Sequence, residues 1–87
     1  MNYRIEFLSS ADREFLALPK PVRLRIGSRI DALAGNPRPA GCTKLSGYKN
    51  LWRIRAGDYR MLYTIDDPAM VISITKIAHR RDVYRGL

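Results

Sequence analysis

Residues 51–63, LWRIRAGDYRMLY, show the alternation of apolar and polar side chains that is typical of a β-hairpin, with a Gly-Asp pair at the centre. Glycine at the first central position of a two-residue turn favours a turn formed by Gly57 and Asp58. The register that follows places Arg55 opposite Arg60 and turns one face of the hairpin toward the core. The predicted core-facing residues are Trp52, Ile54, Met61 and Tyr63.

The opposite face of this hairpin collects positive charge. Like charges that face each other across two strands destabilise a sheet by a few tenths to about 1 kcal/mol, so folding alone gives no reason for the arrangement. Guanidinium groups offer bidentate donors to phosphate oxygens and stay charged at any cellular pH. We therefore interpret Arg53, Arg55 and Arg60 as a phosphate-binding site in preference to a solvated arginine face.

The segments on either side of the hairpin predict an α+β fold. The pattern indicates an N-terminal strand, a two-helix hairpin and an antiparallel meander, which together predict a four-stranded twisted sheet with the helices on one face and a short C-terminal helical tail. The predicted order is strand 3–8, helix 9–18, helix 20–35, loop 37–47, and strands 48–56, 59–65 and 70–77.

The composition fits one domain, residues 1–87, that binds a polyanion. Sixteen Lys and Arg residues outnumber eight Asp and Glu residues, for a formal net charge of +8 on only 87 residues, which favours a nucleic-acid partner. The second helix carries Arg23, Arg25 and Arg29 away from its apolar face. Such a row is more often a solvated helix face than a binding site, but it can also add to a field that attracts RNA or an acidic partner.

Compartment and membrane signals point to the cytoplasm. Cys42 is the single cysteine, so no intrachain disulfide can form and a reducing compartment is the simpler expectation. The N-terminal stretch lacks the features of a secretory signal, and no apolar run approaches the roughly 20 residues of a membrane span. We therefore expect a cytoplasmic protein without membrane contact.

The C-terminal segment HRRDVYRGL, residues 79–87, adds a possible proton-transfer group and more phosphate donors. His79 is the single histidine, and Tyr84 lies five residues later among arginines. Taken alone, a histidine at a strand end is more often structural or exposed, and a tyrosine there can simply anchor the tail to the sheet.

Two segments, KLSGYKNLWRIRAGDYRMLYTI (44–65) and VISITKIAHRRDVYR (71–85), resemble the RelE branch of the RelE/ParE superfamily of toxins. The resemblance spans nearly the whole chain and implies a microbial-RNase-like fold. It also implies a toxin that enters the ribosomal A site and cuts mRNA without a metal or other cofactor. A RelB-like antitoxin that wraps around the toxin, forming a hetero-oligomer, is the implied protein partner.

The resemblance also assigns roles to residues. Arg53, Arg55 and Arg60 correspond to the family's basic residues on the hairpin, and Tyr84 corresponds to a tyrosine implicated in proton transfer. In well-studied RelE toxins an arginine precedes this tyrosine by six positions, whereas the present sequence has Ala78 there. Either Arg80 or Arg81 then supplies the charge from a different place, or His79 takes part in the acid/base step. The further candidates for substrate binding are Lys44, Lys49 and Arg81.

The expected reaction is attack of an RNA 2′-hydroxyl on the adjacent phosphorus, which leaves a 2′,3′-cyclic phosphate. Two alternatives stay open from the sequence. A ParE-like protein would poison DNA gyrase by binding, and it would not need an arginine cluster joined to a C-terminal tyrosine. A catalytically silent module would act only with its antitoxin, as a co-repressor.

Overall fold

A computed structural model describes residues 2–85 and contains two helices and one five-stranded sheet. The strand order is β1-β5-β4-β3-β2; β1 runs parallel to β5, and the other neighbours are antiparallel. The elements are β1 (Arg4–Phe7), α1 (Ser9–Leu16), α2 (Lys20–Leu33), β2 (Thr43–Lys44), β3 (Trp52–Ala56), β4 (Tyr59–Asp66) and β5 (Val71–His79).

The predicted α+β fold is confirmed, with two differences in the sheet. Thr43 and Lys44, within the predicted loop 37–47, form a fifth strand beside β3. Two residues are too few to show a period-2 pattern, so the sequence gives no sign of this strand. The N-terminal strand pairs in parallel with β5. The two helices carry the chain from β1 to β2 at the opposite edge of the sheet, and the antiparallel strands then return through β3 and β4 to β5 beside β1.

Both helices pack on one face of the sheet, and apolar side chains of the helices and the sheet form the main core there. Ile26, Ile30 and Leu33 from α2 and Ala11 from α1 are buried against the sheet. The buried sheet residues of this core are Ile54, Ala56, Met61, Tyr63, Ile65, Ile72, Ile74 and Ile77. Neither helix in the described part of the chain is long and apolar enough to cross a membrane.

The other face of the sheet, which we call the open face, carries a much smaller apolar cluster. Leu51, Leu62 and Val83 are buried together, with Leu45 and Ala78 at their margin. Val83 belongs to the C-terminal segment, so this cluster holds that segment against the open face.

Residues 80–85 form a run of turns where a short helical tail was expected. The amides of Asp82 and Val83 donate to the carbonyl of His79 at 2.8 and 3.1 Å, and the amide of Arg85 donates to Asp82 at 3.1 Å. Lys76 adds an anchor from the sheet, since its Nζ donates to the Arg85 carbonyl at 2.8 Å. The tail follows the sheet surface, where Val83 is buried. The turn hydrogen bonds and the bond from Lys76 satisfy these backbone groups without a regular helix.

Candidate active site

The register predicted for the hairpin is confirmed. Arg55 pairs with Arg60 and Arg53 with Leu62, while Ala56 and Tyr59 flank the two-residue turn. Gly57 has φ +59°, a left-handed value that favours glycine at the first central position. Directly opposed residues share a face, and the residues of β3 and β4 that alternate with the arginines lie in the main core. Arg53, Arg55 and Arg60 therefore lie together on the open face.

Arg60 is held over the turn, close to the other guanidinium groups. Its Nη1 donates to the carbonyls of Gly57 and Tyr59, both at 2.9 Å. Partial burial and the neighbouring positive charges lower the pKa of the Arg60 guanidinium. Those positive neighbours are, in order of effect, Arg55, Arg53 and Arg80. The cluster is thus an uncompensated positive centre in which an anion would be stabilised.

Tyr84 reaches the same cluster from the tail. Arg53 Nη1 donates to the Tyr84 hydroxyl at 2.5 Å, and Arg53 Nη2 donates to Thr43 Oγ1 at 3.4 Å. The Nε of Arg53 is buried, and no partner for it is found among the described residues. Tyr84 itself is 47% exposed, so a ligand can reach the side chain whose hydroxyl lies beside the Arg53 guanidinium.

Arg80 is brought to the hairpin turn by Asp58. The amide of Arg80 donates to the Asp58 carbonyl at 2.7 Å, and the Arg80 Nε lies 3.9 Å from Asp58 Oδ1. Both side chains are largely exposed, so this ion pair leaves the Arg80 guanidinium accessible. The sequence suggested Asp58 only as a turn residue.

His79 lies on the opposite face from the arginines. It pairs with Tyr59, which packs against the main core, and the two rings meet edge to face with their centroids 5.7 Å apart. The His79 Nδ1 accepts a hydrogen bond from the amide of Arg81 at 3.2 Å. The structure therefore groups Tyr84, rather than His79, with the hairpin arginines.

A β-bulge explains the position of His79. The pairing of β4 with β5 shifts between Leu62 and Tyr63, so that Lys76 and Ile74 face these residues and Thr75 is the extra residue. Without the extra residue, strict alternation from Ile74 would direct His79 to the open face. A signal for the bulge exists in the sequence, because the buried isoleucines at 72 and 74 are followed by one at 77 and not at 76 or 78.

The remaining candidates form no hydrogen bond with the hairpin arginines within residues 2–85. Lys44 faces Trp52 in the β2–β3 pair, which assigns it to the helix side of the sheet at the edge strand. Lys49 and Arg81 are exposed in the connection before β3 and in the tail, respectively. Between Asn2 and Arg85 no three His, Cys, Asp or Glu side chains form a group that could hold a metal ion.

The sequence analysis missed two contributors to this site, Thr43 and Val83. Thr43 contacts Arg53 from β2, and Val83 fixes the tail that carries Tyr84. An apolar residue between Asp82 and Tyr84 in a charged segment was the available signal for Val83.

At the end of the sheet remote from the hairpin turn, which we call the far end, a shallow depression has paired charges. Arg4 Nη2 lies 2.9 Å from Glu6 Oε1, and Arg38 Nη2 lies 2.9 Å from Asp67 Oδ2. The Tyr3 hydroxyl also donates to Asp67, at 2.6 Å. The hydrogen bonds from Arg38 and then Tyr3 hold the pKa of Asp67 below its usual range. The lining residues include Arg4, Glu6, Arg38, Thr64, Asp67 and Ser73.

Comparison with known families identifies the chain. Residues 5–84 match the family model of the ParE toxin of type II toxin–antitoxin systems. The chain belongs to the RelE/ParE superfamily of toxins. It is of the RelE type, as predicted: it is 29% identical over 86 residues to Toxin RelG of Mycobacterium tuberculosis, covering 98% of this chain and 99% of the relative.

Two further relatives agree with this placement. Toxin RelE of M. tuberculosis is 30% identical to this toxin over 84 residues, with 95% of this chain and 87% of the relative covered. The crystal structure of the archaeal RelE–RelB complex from Pyrococcus horikoshii is similar with a TM-score of 0.82 and 31% identity, covering 95% of this chain and all of the other.

The geometry of this toxin suits chemistry on a phosphodiester. Three guanidinium groups lie on one face of adjacent strands, with a fourth at the turn, and guanidinium groups are suited to binding phosphate oxygens. A hydroxyl capable of proton transfer lies within hydrogen-bonding distance of one of them. The site lies on a sheet face and not in a deep cleft, so a large ligand such as RNA can reach it.

Proposed function

We propose that this RelE-type toxin is an endoribonuclease that cuts mRNA in the ribosomal A site and so inhibits translation. The observation that carries the proposal is the position of the Tyr84 hydroxyl beside Arg53 in an otherwise uncompensated arginine cluster. Such a cluster disfavours the folded chain unless an anion is bound, and RNA supplies one at every linkage.

The proposed reaction uses the RNA as its own nucleophile. A 2′-hydroxyl oxygen forms a bond to the adjacent phosphorus, the bond from phosphorus to the 5′-oxygen breaks, and a 2′,3′-cyclic phosphate and a 5′-hydroxyl result. The proton of the 2′-hydroxyl is removed and one is delivered to the leaving oxygen, so no cofactor is consumed. The proposed mechanism therefore needs only side chains that bind charge and move protons.

Arg53, Arg55 and Arg60 would bind the additional negative charge of the phosphorane-like transition state. Donors fixed before the reaction stabilise such charge without reorganising, and this effect is often the largest single contribution to catalysis. Tyr84 is the proton-transfer group that the geometry favours, and Arg80 is a further phosphate donor at the turn. Placing His79 in the acid/base step would require it to act from the other face of the sheet.

The shape of the site supports the proposed dependence on the ribosome. A shallow sheet face can neutralise a phosphate, but it offers few contacts that align a 2′-hydroxyl with the scissile bond. An A site that holds the mRNA would supply that alignment, which is worth several orders of magnitude in rate. Activity in the cytoplasm, where ribosomes are found, is part of the same proposal.

We further propose a RelB-like antitoxin as the protein partner, in a hetero-oligomer. The relative from P. horikoshii was solved as a RelE–RelB complex, and M. tuberculosis RelBE2 as a toxin–antitoxin complex. A net charge of +8 favours a partner segment that is acidic or amphipathic.

Mapped cleavage tests the proposed activity. Induced expression followed by primer extension should find cuts at in-frame positions, only within translated regions, and fragments that end in a 2′,3′-cyclic phosphate. The Arg53→Gln/Arg60→Gln variant should lose the cuts, whereas Arg4→Gln/Arg38→Gln, with the same net charge, should retain them. Cuts outside translated regions, or equal cutting by all three proteins, would reject the proposal.

A ParE-like function is the second candidate, because the matching family model is that of a ParE toxin. A gyrase poison would produce DNA damage while leaving mRNA intact. A silent co-repressor would be harmless when expressed without its antitoxin. Pulse labelling of protein synthesis and an assay of DNA breaks, after expression of the toxin alone, separate the three functions.

A further inference from the structure

The arginines of α2 make two kinds of contact, one with the end of α1 and one with the β3–β4 hairpin. The Nη1 of Arg23 donates to the carbonyls of Leu16 and Leu18, at 3.4 and 3.3 Å, where α1 ends. Arg23 therefore satisfies helix-terminal carbonyls and has a structural role. Arg25 and Arg29 extend instead to the hairpin of β3 and β4, on the helix side.

Arg29 lies at an edge of the sheet. Strand β2 covers only Trp52 and Arg53 of β3, so the carbonyl of Arg55 has no strand beside it on that edge. The Nη2 of Arg29 donates to this carbonyl at 2.9 Å. This bond uses one of the five N–H donors of the guanidinium, and the exposed side chain retains the others for a ligand.

Arg25 lies over the turn itself. A Cβ atom added to Gly57 would lie 3.1 Å from the Nη1 of Arg25, so the guanidinium is in close contact with the turn backbone. Glycine is favoured at this position for two reasons: a side chain would crowd Arg25, and the backbone adopts a positive φ. The helix thus holds a second positive charge above the same turn.

No carboxylate compensates these two charges within residues 2–85. Arg25 and Arg29 take part in none of the ion pairs found there, and Asp58 of the turn is directed to Arg80. The turn therefore carries arginines on both sides: Arg55 and Arg60 on the open face, and Arg25 and Arg29 on the helix side.

We propose that Arg25 and Arg29 form a second phosphate-binding surface of the toxin, which holds RNA backbone outside the scissile linkage. The inference rests on the proposed function for the identity of the RNA. Guanidinium forks that are anchored by backbone contacts and lack acidic partners suit phosphate oxygens. Because this surface continues the arginine cluster around one turn, an RNA that curves past the hairpin can contact both.

Salt-dependent binding tests the second surface apart from the chemistry. The probes are vacant ribosomes, which carry no mRNA, and a 2′-O-methylated single strand of RNA that cannot be cut. The Arg25→Gln/Arg29→Gln variant should bind RNA roughly tenfold more weakly at low salt, and the slope of log affinity against log salt concentration should fall by about 1.5. Weaker binding to ribosomes alone would identify structured RNA as the ligand of this surface. Weaker binding to both probes would identify the RNA backbone in general as the ligand.

A matched control removes two positive charges elsewhere. Arg4→Gln/Arg13→Gln has the same net charge, but its sites lie on the opposite edge strand and on α1. It should change the slope by much less than the α2 variant. If the α2 double variant folds poorly, Arg25→Gln alone retains the Arg29 bond to the sheet and should show about half the change in slope.

Two results would overturn the inference. One is an unchanged affinity and slope for RNA; the other is weaker binding of a RelB-like antitoxin at unchanged RNA affinity, which would assign the surface to a protein partner. The toxin concentration needed for half-maximal cleavage of mRNA should rise with the loss of affinity, as expected for residues that bind RNA without contacting a reacting atom. A toxin that binds ribosomes through α2 without cutting mRNA would refute the proposed activity and leave this inference intact.

Discussion

Arginine side chains have opposite surroundings at the two ends of the sheet. At the far end, Arg38 forms an ion pair with Asp67, and the hydrogen bond to this carboxylate raises the pKa of the Arg38 guanidinium. At the hairpin end, Arg60 faces Arg55, and burial together with positive neighbours lowers its pKa. A paired arginine has its counter-ion within the protein, whereas an unpaired cluster needs one from outside. The hairpin end is therefore the end of the sheet suited to an anionic ligand.

The largest expected difference between the two ends is catalytic. Arg60→Gln should lower the rate of cleavage on programmed ribosomes roughly 100- to 1,000-fold, because it removes a fixed donor to the transition state. Arg4→Gln, which breaks the ion pair with Glu6 at the far end, should leave the rate within about threefold. Single-turnover assays at saturating ribosome measure both rates. Similar rates for the two variants would show that the two ends do not differ in their contribution to catalysis.

The tyrosine hydroxyl should produce the next largest effect. Tyr84→Phe deletes the group bonded to Arg53 and keeps the ring, so cleavage should fall by about 100-fold if proton transfer is lost. The matched variant Tyr48→Phe, at another exposed tyrosine, should be unaffected. Affinity for ribosomes should not change in either protein, which separates chemistry from binding. Full activity of Tyr84→Phe would show that another residue is the proton-transfer group.

Tail anchoring should matter less than the hydroxyl itself. Val83→Ala reduces the buried contact with Leu51 and Leu62, so Tyr84 should leave its position more often and cleavage should fall roughly tenfold. Hydrogen exchange at the amides of Val83 and Arg85 should accelerate at the same time. Val71→Ala, at the other end of β5, is the control. Slower cleavage with unchanged exchange would contradict a positioning role.

Charge repulsion at the hairpin end predicts a small gain in stability. Arg55→Gln removes one of two directly opposed guanidinium groups, so the free energy of unfolding should rise by a few tenths to about 1 kcal/mol. Thermal unfolding with and without a polyanion measures it, and the gain should disappear when the polyanion is bound. Destabilisation in the absence of anion would show that the arginine pair is not repulsive in the folded toxin.

The smallest effect concerns the acidic partner at the far end. The pKa of Asp67 is lowered on folding, so its stabilising contribution is present above the ordinary aspartate pKa of about 4 and is lost as the pH falls through the lower, folded value. Asp67→Asn should therefore unfold at a slightly lower temperature than wild type at pH 7, and the difference should vanish in acid. Cleavage should be unchanged. A difference that persists below pH 2 would assign the effect to packing.

The register of the hairpin was predictable because one local feature determines it. A Gly-Asp turn sets the pairing of every residue from Trp52 to Tyr63, and the grouping of the arginines follows from that pairing. The fold class was predictable for a similar reason, since helical and strand periodicities are local.

Features that depend on distant contacts were not predictable in the same way. The parallel alignment of β1 and the two-residue β2 depend on strands that are far apart in sequence. The face occupied by His79 depends on a single extra residue in β5. The tail conformation depends on a buried contact of Val83 across the sheet.

The short outer strands of the sheet have a consequence for solubility. The two long strands, β4 and β5, lie inside the sheet, while its margins are β1 with four residues and β2 with two. A short margin with charged side chains such as Arg4, Glu6 and Lys44 gives another molecule little backbone on which to add a strand. Unpairing of β1 would uncover the isoleucine-rich β5 as a template for aggregation. The four residues of β1 therefore protect the free toxin from adding a strand at β5.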